Sequence, residues 1–223
     1  MTRPKAVLFD AGGTLVTMDP GLVGDVVEPV NGQRPNEGRM IDAHYRAMAA
    51  ISDNTHLLDE GADVWWPWWL GQFLELAEVD PAPDVVAAMA ASRGLWRREL
   101  PGSLDGVRRV VDAGFQVAVV SNADGHVADD LAAAGFDGVF DVIVDSTLVG
   151  VSKPDPAIFD FALEALGVSA EEAWYVGDSR VFDHGGAEAA GLAEFVLVDP
   201  IDLHPDFPMR VSELGELLSL LGE

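Results

Sequence analysis

The segment AVLFDAGGTL, residues 6–15, decides how the rest of this chain is interpreted. Its first four residues are apolar and predict a short buried strand, and the two glycines after Asp10 predict a loop. Open parallel sheets bind their ligands at the carboxyl ends of the strands, which is where Asp10 stands. A carboxylate at that point can act as a nucleophile. The position two residues further on, where a second carboxylate would serve as a general acid, is Gly12.

The net charge and the absence of cysteine restrict the molecules and metal sites that this chain can bind. The 223-residue chain has a formal net charge of −25 and no cysteine. Such a charge repels phosphate backbones and anionic lipids, so we expect no nucleic acid and no membrane as a partner. Without cysteine, disulfides and thiolate metal sites are excluded. No stretch approaches the ~20 consecutive apolar residues of a membrane span. The first strand also begins too early to leave room for a signal peptide, so we expect a cytoplasmic protein.

Apolar runs alternate with amphipathic stretches over most of the chain. This pattern predicts an α/β protein with a Rossmann-like core, a doubly wound parallel sheet. The predicted strands are 6–9, 116–120, 142–144, 173–176 and 195–198. The predicted helices of this core are 104–113, 123–134, 156–166, 187–190 and 211–221.

The first strand is followed by about 85 residues without a strand pattern, which is too long for a loop. We therefore predict an inserted all-helical cap domain, residues 17–99, and a core formed by residues 1–16 and 100–223. Residues 21–39, rich in Gly, Pro and Asn, are predicted to be irregular. The predicted helices of the insertion are 40–51, 68–78, which would have Pro67 at its start, and 85–98.

Polar residues follow the later strands as well. Ser121 and Asn122 come directly after the second strand, where a hydroxyl and backbone amides can hold phosphate oxygens. Lys153 precedes a predicted helix and is one of only two lysines, against eleven arginines. Its charge would offset the negative charge that accumulates between a nucleophilic carboxylate and a phosphoryl group.

Asp178 follows the fourth strand, and Asp183 lies five residues beyond it. Together with Asp10 these carboxylates form a hard-oxygen site, which suits Mg²⁺. Each of these four segments, around Asp10, Ser121, Lys153 and Asp178, would alone be an ordinary polar loop. Four of them in order, each at the carboxyl end of a strand, point to an active site.

The motifs at 119–122 (VVSN), 151–156 (VSKPDP) and 176–183 (VGDSRVFD) resemble those of the haloacid dehalogenase superfamily, especially its phosphatases with a helical cap. This resemblance implies that Asp10 is the nucleophile and forms an aspartyl-phosphate. It implies that Lys153 stabilises the transferring group. The remaining residues implied are the phosphate-binding Ser121, Asn122 and Gly13, and the Mg²⁺ ligands Asp10, Asp178 and the carbonyl of Gly12, with Asp183 as a further ligand or a support.

The departure from the family pattern is Gly12, because family phosphatases carry an aspartate there as the acid for the leaving alcohol. General acid–base help is worth roughly 10²–10⁴-fold in rate. An Mg²⁺-dependent phosphatase could tolerate the gap if its small phosphorylated substrate has a good leaving group. It could also borrow an acid, with Asp19, His44 and Asp124 as candidates.

Three further classes of protein could carry a glycine at position 12. Family phosphonatases also lack the aspartate, but they need a cap lysine, and no lysine lies between Lys5 and Lys153, which excludes this class. A metal-independent 2-haloacid dehalogenase would use Asp10 and Lys153 but would not need Asp178. A binding or regulatory protein that has lost efficient turnover is the third.

Four of the six tryptophans fall within residues 64–69, VWWPWW. Two interpretations remain open for this segment. It can form an apolar lid over the substrate or the surface of a homodimer through the cap. It can also simply pack the cap helices against one another and against the core.

Overall fold

The computed structural model describes residues 3–222. They form two compact units: a core unit up to Thr17 and from Arg97 onward, and a helical unit, Met18–Trp96. The units therefore divide at 17/18 and 96/97, within three residues of the limits predicted from the sequence.

The core unit contains a parallel six-stranded sheet with the order β5-β4-β1-β6-β7-β8, and a two-stranded antiparallel ribbon formed by β2 and β3. The fold is the predicted Rossmann-like α/β architecture. Within the described residues the strands are β1 (Ala6–Phe9), β2 (Val16–Thr17), β3 (Arg98–Glu99), β4 (Gln116–Ser121), β5 (Val142–Asp145), β6 (Ala173–Gly177), β7 (Glu194–Val198) and β8 (Arg210–Val211).

The central strand β1 is wholly buried between β4 and β6. Its last residue, Phe9, pairs with Val119 on one side and Val176 on the other. The Asp10 N–H continues this ladder by donating to the Val176 carbonyl at 2.8 Å. Because all three strands run the same way, the residues that follow them meet at one edge of the sheet.

The ribbon of β2 and β3 lies where the chain leaves and re-enters the core unit. Val16 pairs with Glu99, and Thr17 with Arg98. Beyond the ribbon, Leu100 N–H donates to the Leu15 carbonyl at 2.9 Å. The prediction of a helix over residues 85–98 was wrong at its end, because the helix stops at Ala91 and Arg98 pairs in the ribbon.

Residues 18–96, all of them described, contain helices and no strand. The helices are α1 (Pro20–Asn31), α2 (Met40–Asp53), α3 (His56–Asp59), α4 (Ala62–Leu76) and α5 (Pro83–Ala91). A single 3₁₀ turn, Glu37–Arg39, precedes α2.

The prediction that residues 21–39 are irregular was wrong for α1. Proline stands at its first turn, and the side chain of Asp19 caps it by accepting the Leu22 N–H at 3.0 Å. Val23 and Val27 form its buried face. Gly32 ends the helix at φ 74°, a conformation that glycine adopts at no steric cost. Pro20 and Gly32 thus mark the start and the end of the helix, whereas Gly21, Gly24 and Pro29 lie within it.

Helix α4 begins six residues earlier than predicted, and Pro67 lies inside it. A proline in a helix interior removes one hydrogen bond and costs about 3 kcal/mol. The burial of Trp69 and Phe73 on the same helix offsets this cost, since burying large apolar side chains stabilises by about 1.5–3 kcal/mol each.

The helices of the core unit are α6 (Ser103–Asp112), α7 (Val127–Leu131), α8 (Ser146–Val149), α9 (Ala157–Leu166), α10 (Gly185–Ala189) and α11 (Leu217–Leu221). Two predicted helices were too long. The predicted helix 123–134 starts only at Val127, because Gly125 has a φ of 95°. The predicted helix 211–221 is reduced to α11, since Arg210–Val211 joins the sheet as β8. None of the helices among the described residues is long and apolar enough to cross a membrane.

Candidate active site

A buried ion cluster joins Asp10, Lys153 and Asp183 at the carboxyl edge of the sheet. Lys153 Nζ lies 2.5 Å from Asp10 Oδ1 and 2.7 Å from Asp183 Oδ1. The three residues are 7%, 3% and 1% exposed, respectively. Charges so far from solvent are stable only when they are paired and hydrogen-bonded. Three residues that are far apart in the sequence thus converge on one point.

Asn122 holds the backbone of Lys153. Its side-chain Nδ2 donates to the Lys153 carbonyl at 2.9 Å, and its Oδ1 accepts the Lys153 N–H at 2.7 Å. Both polar atoms of the Asn122 side chain are therefore committed to Lys153. What Asn122 can offer to a phosphate is its backbone amide, so its side chain has a positioning role that the sequence did not indicate.

The carboxylate of Asp183 is bonded on both oxygens. Oδ1 accepts from Lys153, and Oδ2 accepts the backbone N–H groups of Asp178 at 3.1 Å and Ser179 at 2.9 Å. An added Cβ at Gly177 would lie 2.5 Å from Asp183 Oδ2, so only glycine leaves room for this carboxylate. Of the two roles expected for Asp183, this arrangement favours support of its neighbours over direct metal binding.

Ser121 ends β4 and is buried. The loop after it is fixed by Asp145, whose carboxylate accepts the N–H groups of Gly125 and Val127 from this loop and of Thr147 from α8. A buried carboxylate thus fixes the backbone that follows Ser121.

The loop after Asp10 is closed by backbone hydrogen bonds. Gly13 has a φ of 79°, and its N–H donates to the Val16 carbonyl at 2.8 Å. The amide of Gly13, a residue predicted to bind phosphate, is thus engaged in shaping the loop. Gly12 has no positive φ, unlike Gly13. Thr14 Oγ1 is buried without a hydrogen-bond partner in the described structure, so its side chain does not brace this loop.

Burial dominates the ionisation of the site. It raises the pKa of Asp183 to about 7, with further repulsion from Asp10 and Asp178, although Lys153 opposes the shift. Burial also raises the pKa of Asp10, against the attraction of Lys153. Burial lowers the pKa of Lys153, but the negative charges of Asp10 and Asp183 outweigh this effect, so the pKa of Lys153 is raised overall. Lys153 therefore stays an ammonium ion near neutral pH.

The donor set fits a magnesium ion. Carboxylate oxygens of Asp10, Asp178 and Asp183 lie within 4.8 Å of one another, and all three residues are buried. When these groups are ionised they carry three negative charges, which the single positive charge of Lys153 does not balance. Mg²⁺ binds to hard oxygen ligands, usually one or two carboxylates with water and phosphate.

Two residues of the site were missed by the sequence analysis. Tyr175 on β6 accepts a hydrogen bond from Lys153 Nζ at 2.8 Å, and Asp145 follows the same pattern as Asp10, a carboxylate at a strand's end. The signal for Tyr175 was a hydroxyl within an otherwise apolar, fully buried strand, because such a group needs a polar partner. The signal for Asp145 was its place after the run 142–144.

The three candidate replacement acids lie in different places. Asp124 belongs to the loop after Ser121 in the core unit. Asp19 is in the helical unit, where one carboxylate oxygen caps α1. His44 is buried in the helical unit.

The tryptophan segment packs within the helical unit. Trp69 stacks on Trp66 at 5.1 Å and on Phe73 at 5.4 Å between ring centroids. His44 lies edge-on to Trp69 and Trp96, at 5.6 Å from each. This supports the interpretation that the aromatic residues hold the helices of this unit together, while Trp65 and Trp68 stay partly exposed.

A comparison with known proteins identifies the family. A family model of haloacid dehalogenase-like hydrolases matches residues 4–191, which is most of the chain. The chain belongs to this family. The resemblance to the haloacid dehalogenase superfamily is confirmed.

Two curated relatives illustrate the range of this family. The chain is 30% identical over 146 residues to human haloacid dehalogenase-like hydrolase domain-containing protein 3, a match that covers 62% of this chain and 58% of that protein. The match thus spans little more than half of the human relative. A phosphoglycolate phosphatase of Pseudomonas putida is 28% identical over 200 residues, covering 86% of this chain and 68% of the relative.

Solved structures share the fold. A HAD-hydrolase of Bacillus subtilis, described as bound to magnesium, superimposes with a TM-score of 0.73 at 19% identity, with both chains wholly covered. An L-2-haloacid dehalogenase of Xanthobacter autotrophicus reaches 0.64 at 23% identity, with 98% of each chain covered. At these identities the likeness concerns the architecture and not the reaction.

Proposed function

We propose that this hydrolase is an Mg²⁺-dependent phosphatase that acts on a small phosphorylated metabolite through an aspartyl-phosphate on Asp10. The observation that carries the proposal is the buried Asp10–Lys153 pair, with Asp178 and Asp183 beside it at the carboxyl edge of the sheet. The similarity to a phosphoglycolate phosphatase over most of the chain supports the same class of substrate.

In the proposed reaction a carboxylate oxygen of Asp10 attacks phosphorus, and the bond from phosphorus to the leaving oxygen breaks. Lys153 offsets the charge on the phosphoryl oxygens, and Ser121 with the adjacent amides holds them. Water then attacks the phosphorus of the aspartyl-phosphate, which releases inorganic phosphate and regenerates Asp10.

Asp10 and Asp178 are the residues that would hold Mg²⁺, together with the carbonyl of Gly12. Asp183 fixes the loop that carries Asp178 by accepting hydrogen bonds from the backbone amides of Asp178 and Ser179. When bound, the ion would neutralise the charge of the phosphoryl group and the surrounding carboxylates.

Gly12 determines which substrates this site can use. With no acid at position 12, a leaving alkoxide receives no proton from this loop, at a cost of roughly 10²–10⁴ in rate. The leaving groups of acyl phosphates and phosphoanhydrides, a carboxylate and a phosphate, depart as stable anions and need no proton. We therefore expect substrates with good leaving groups to be strongly preferred, unless a residue of the helical unit supplies the acid.

The proposal is tested by measuring hydrolysis of acetyl phosphate, p-nitrophenyl phosphate and an alkyl phosphate, each with Mg²⁺ and with EDTA. We expect Mg²⁺-dependent turnover of the first two and at least a hundredfold lower rate with the alkyl phosphate. Asp10→Asn should abolish all turnover. Binding of Mg²⁺ without turnover of any of the three would instead indicate a binding or regulatory protein.

A metal-independent 2-haloacid dehalogenase is the second candidate, and Gly12 is the observation that favours it. Halide also leaves without a proton, so Asp10 could attack the carbon that bears it and form an ester, which water then hydrolyses. The buried Asp178 beside Asp10 argues against this reaction, because it would add an unneeded negative charge. Release of chloride from 2-chloropropionate in EDTA would establish this activity.

A further inference from the structure

The hydroxyl of Tyr175 connects Lys153 to β4. Tyr175 is fully buried on β6, and its OH accepts from Lys153 Nζ at 2.8 Å. The same OH donates to the Val120 carbonyl at 2.7 Å. Asp183 Oδ1 is a second acceptor within reach of this proton, at 3.3 Å, but the contact with Val120 is the shorter one. Because an ammonium group can only donate, Tyr175 meets Lys153 as an acceptor. Val120 immediately precedes Ser121, the predicted phosphate-binding residue.

The ammonium group of Lys153 has three N–H bonds to donate. In the structure it has three acceptors: Asp10 Oδ1, Asp183 Oδ1 and the Tyr175 hydroxyl. A substrate phosphoryl group that is to receive a hydrogen bond from Lys153 must therefore displace one of them. All three bonds start at a cation, but those to Asp10 and Asp183 join opposite charges and the bond to Tyr175 joins the cation to a neutral hydroxyl, so the bond to Tyr175 is the one that yields.

We propose that Tyr175 is a positioning residue for Lys153. Its hydroxyl holds the third ammonium N–H in the substrate-free enzyme and releases it to a phosphoryl oxygen when substrate binds. Through Val120 it also keeps the ammonium group aligned with the end of β4, where Ser121 lies. The release step rests on the proposed phosphatase function, whereas the positioning of Lys153 does not.

Tyr175 does not replace the acid that is missing at position 12. Its proton is engaged by the Val120 carbonyl. In addition, burial and the nearby carboxylates raise its pKa well above the ordinary value for tyrosine. The hydroxyl therefore holds Lys153 and does not transfer a proton.

The test is Tyr175→Phe, which keeps the ring and its packing against Phe159 and Phe195 and removes only the hydroxyl. The matched control is Tyr45→Phe, which changes the only other tyrosine of the chain, buried in the helical unit. For Tyr175→Phe we expect kcat on acetyl phosphate to fall about tenfold with KM changed less than twofold, because an ammonium group that is not aligned before substrate binds meets the phosphoryl oxygen in several orientations. The control should leave both constants unchanged.

A spectroscopic measurement separates positioning from packing. With ¹⁵N-labelled lysine the chain gives ammonium signals from only two side chains, the exposed Lys5 and the buried Lys153. Tyr175→Phe should shift the Lys153 signal and leave that of Lys5 in place. In the wild type, Mg²⁺ with inorganic phosphate should shift the Lys153 signal as the third N–H leaves Tyr175.

The outcomes distinguish the two proposals. An unchanged Lys153 signal and an unchanged kcat in Tyr175→Phe would overturn the positioning role. A wild type that hydrolyses none of the phosphates would overturn the proposed function and the release step, while the Lys153 signal still decides whether Tyr175 positions it. If Tyr175→Phe does not fold, the wild type decides alone. A Lys153 signal that does not change when phosphate binds would overturn the proposed release of the N–H from Tyr175.

Discussion

Asn122 fastens Lys153 at two points, with its side-chain amide donating to the Lys153 carbonyl at 2.9 Å and accepting the Lys153 N–H at 2.7 Å. The residue after β4 thereby fixes the backbone of the lysine whose ammonium group contacts Asp10. Two segments that are distant in the sequence are locked together by one amide side chain. The position of the Lys153 charge therefore depends on this contact as well as on its own side-chain bonds.

Asn122→Ala removes both of these hydrogen bonds. We expect the free energy of unfolding to fall by about 2 kcal/mol, since each bond contributes roughly 1 kcal/mol. We also expect kcat on acetyl phosphate to fall at least tenfold, because Lys153 loses its fixed position. Urea unfolding and steady-state kinetics measure the two effects.

The control for this prediction is Gln116→Ala, which removes an amide at the other end of the same strand. Gln116 donates one hydrogen bond to the Leu166 carbonyl at 3.1 Å, away from the cluster. It should lower stability by up to about 1 kcal/mol and leave kcat unchanged. Equal kinetic effects of the two substitutions would contradict the positioning role of Asn122.

Gly177→Ala should damage the site by steric means alone. The added methyl would lie 2.5 Å from Asp183 Cγ, so the carboxylate must move from the Asp178 and Ser179 amides. Overpacking of this kind costs about 1–3 kcal/mol. We expect that loss in urea unfolding, together with a weaker Mg²⁺ affinity by calorimetry.

Gly71→Ala is the matched control, since a methyl at this position in α4 meets nothing within 4 Å. In a helix interior this change should stabilise by about 0.5–1 kcal/mol. A Gly177→Ala protein with wild-type stability and Mg²⁺ affinity would show that Asp183 can move without consequence.

The sequence indicated the sheet and most of the site because both depend on short local patterns. Asp10, Ser121 and Asp178 each follow a buried apolar run, and the ends of adjacent parallel strands must meet. Tyr175 and the side chain of Asn122 act through tertiary contacts that no local spacing encodes. Helix α1 was missed because Pro20 and Gly32 are its start and stop signals, and a glycine- and proline-rich stretch looks irregular when these are not assigned to ends.

The pKa of Asp183 predicts how pH affects the metal-free protein. Because its pKa is raised from 3.8 to about 7, the folded state binds this proton more tightly than the unfolded state. Its contribution to stability is complete below about pH 4 and is lost as the pH rises through 7. Between pH 5 and pH 8 the unfolding free energy of the wild type should therefore fall relative to that of Asp183→Asn.

This comparison uses urea unfolding in EDTA, and the variant serves as its own control because asparagine does not titrate. Mg²⁺ should oppose the trend by binding the ionised carboxylates. A difference that shifts in favour of the metal-free wild type as the pH rises would contradict the assigned pKa shift.

The ion pair of Arg97 and Asp130 should contribute to stability and not to chemistry. Arg97 is the first residue of the core unit after the helical unit, and its Nε lies 2.7 Å from Asp130 Oδ1. Asp130 is buried, whereas the arginine is half-exposed, so Asp130→Asn leaves a cation that water can still solvate. We expect a loss of about 1 kcal/mol, seen as a lower Tm, with kcat on acetyl phosphate unchanged.

Asp42→Asn provides the comparison, since it breaks an exposed pair with Arg46 one turn along α2. Such pairs contribute about 0.3–0.5 kcal/mol and are screened by salt. A loss for Asp130→Asn no larger than that for Asp42→Asn would show that Arg97 is not anchored by this contact.

The central claim is that the site is complete except for the acid that would protonate a leaving alkoxide. Gly12 has no positive φ, so an aspartate at this position would not need the left-handed conformation that side chains disfavour. The decisive measurement is hydrolysis of an alkyl phosphate by Gly12→Asp in the presence of Mg²⁺. We predict a gain of about 10²–10⁴-fold over the wild type, with little change on acetyl phosphate. A Gly12→Asp protein that is folded and binds Mg²⁺, yet hydrolyses the alkyl phosphate no faster than the wild type, would contradict the claim.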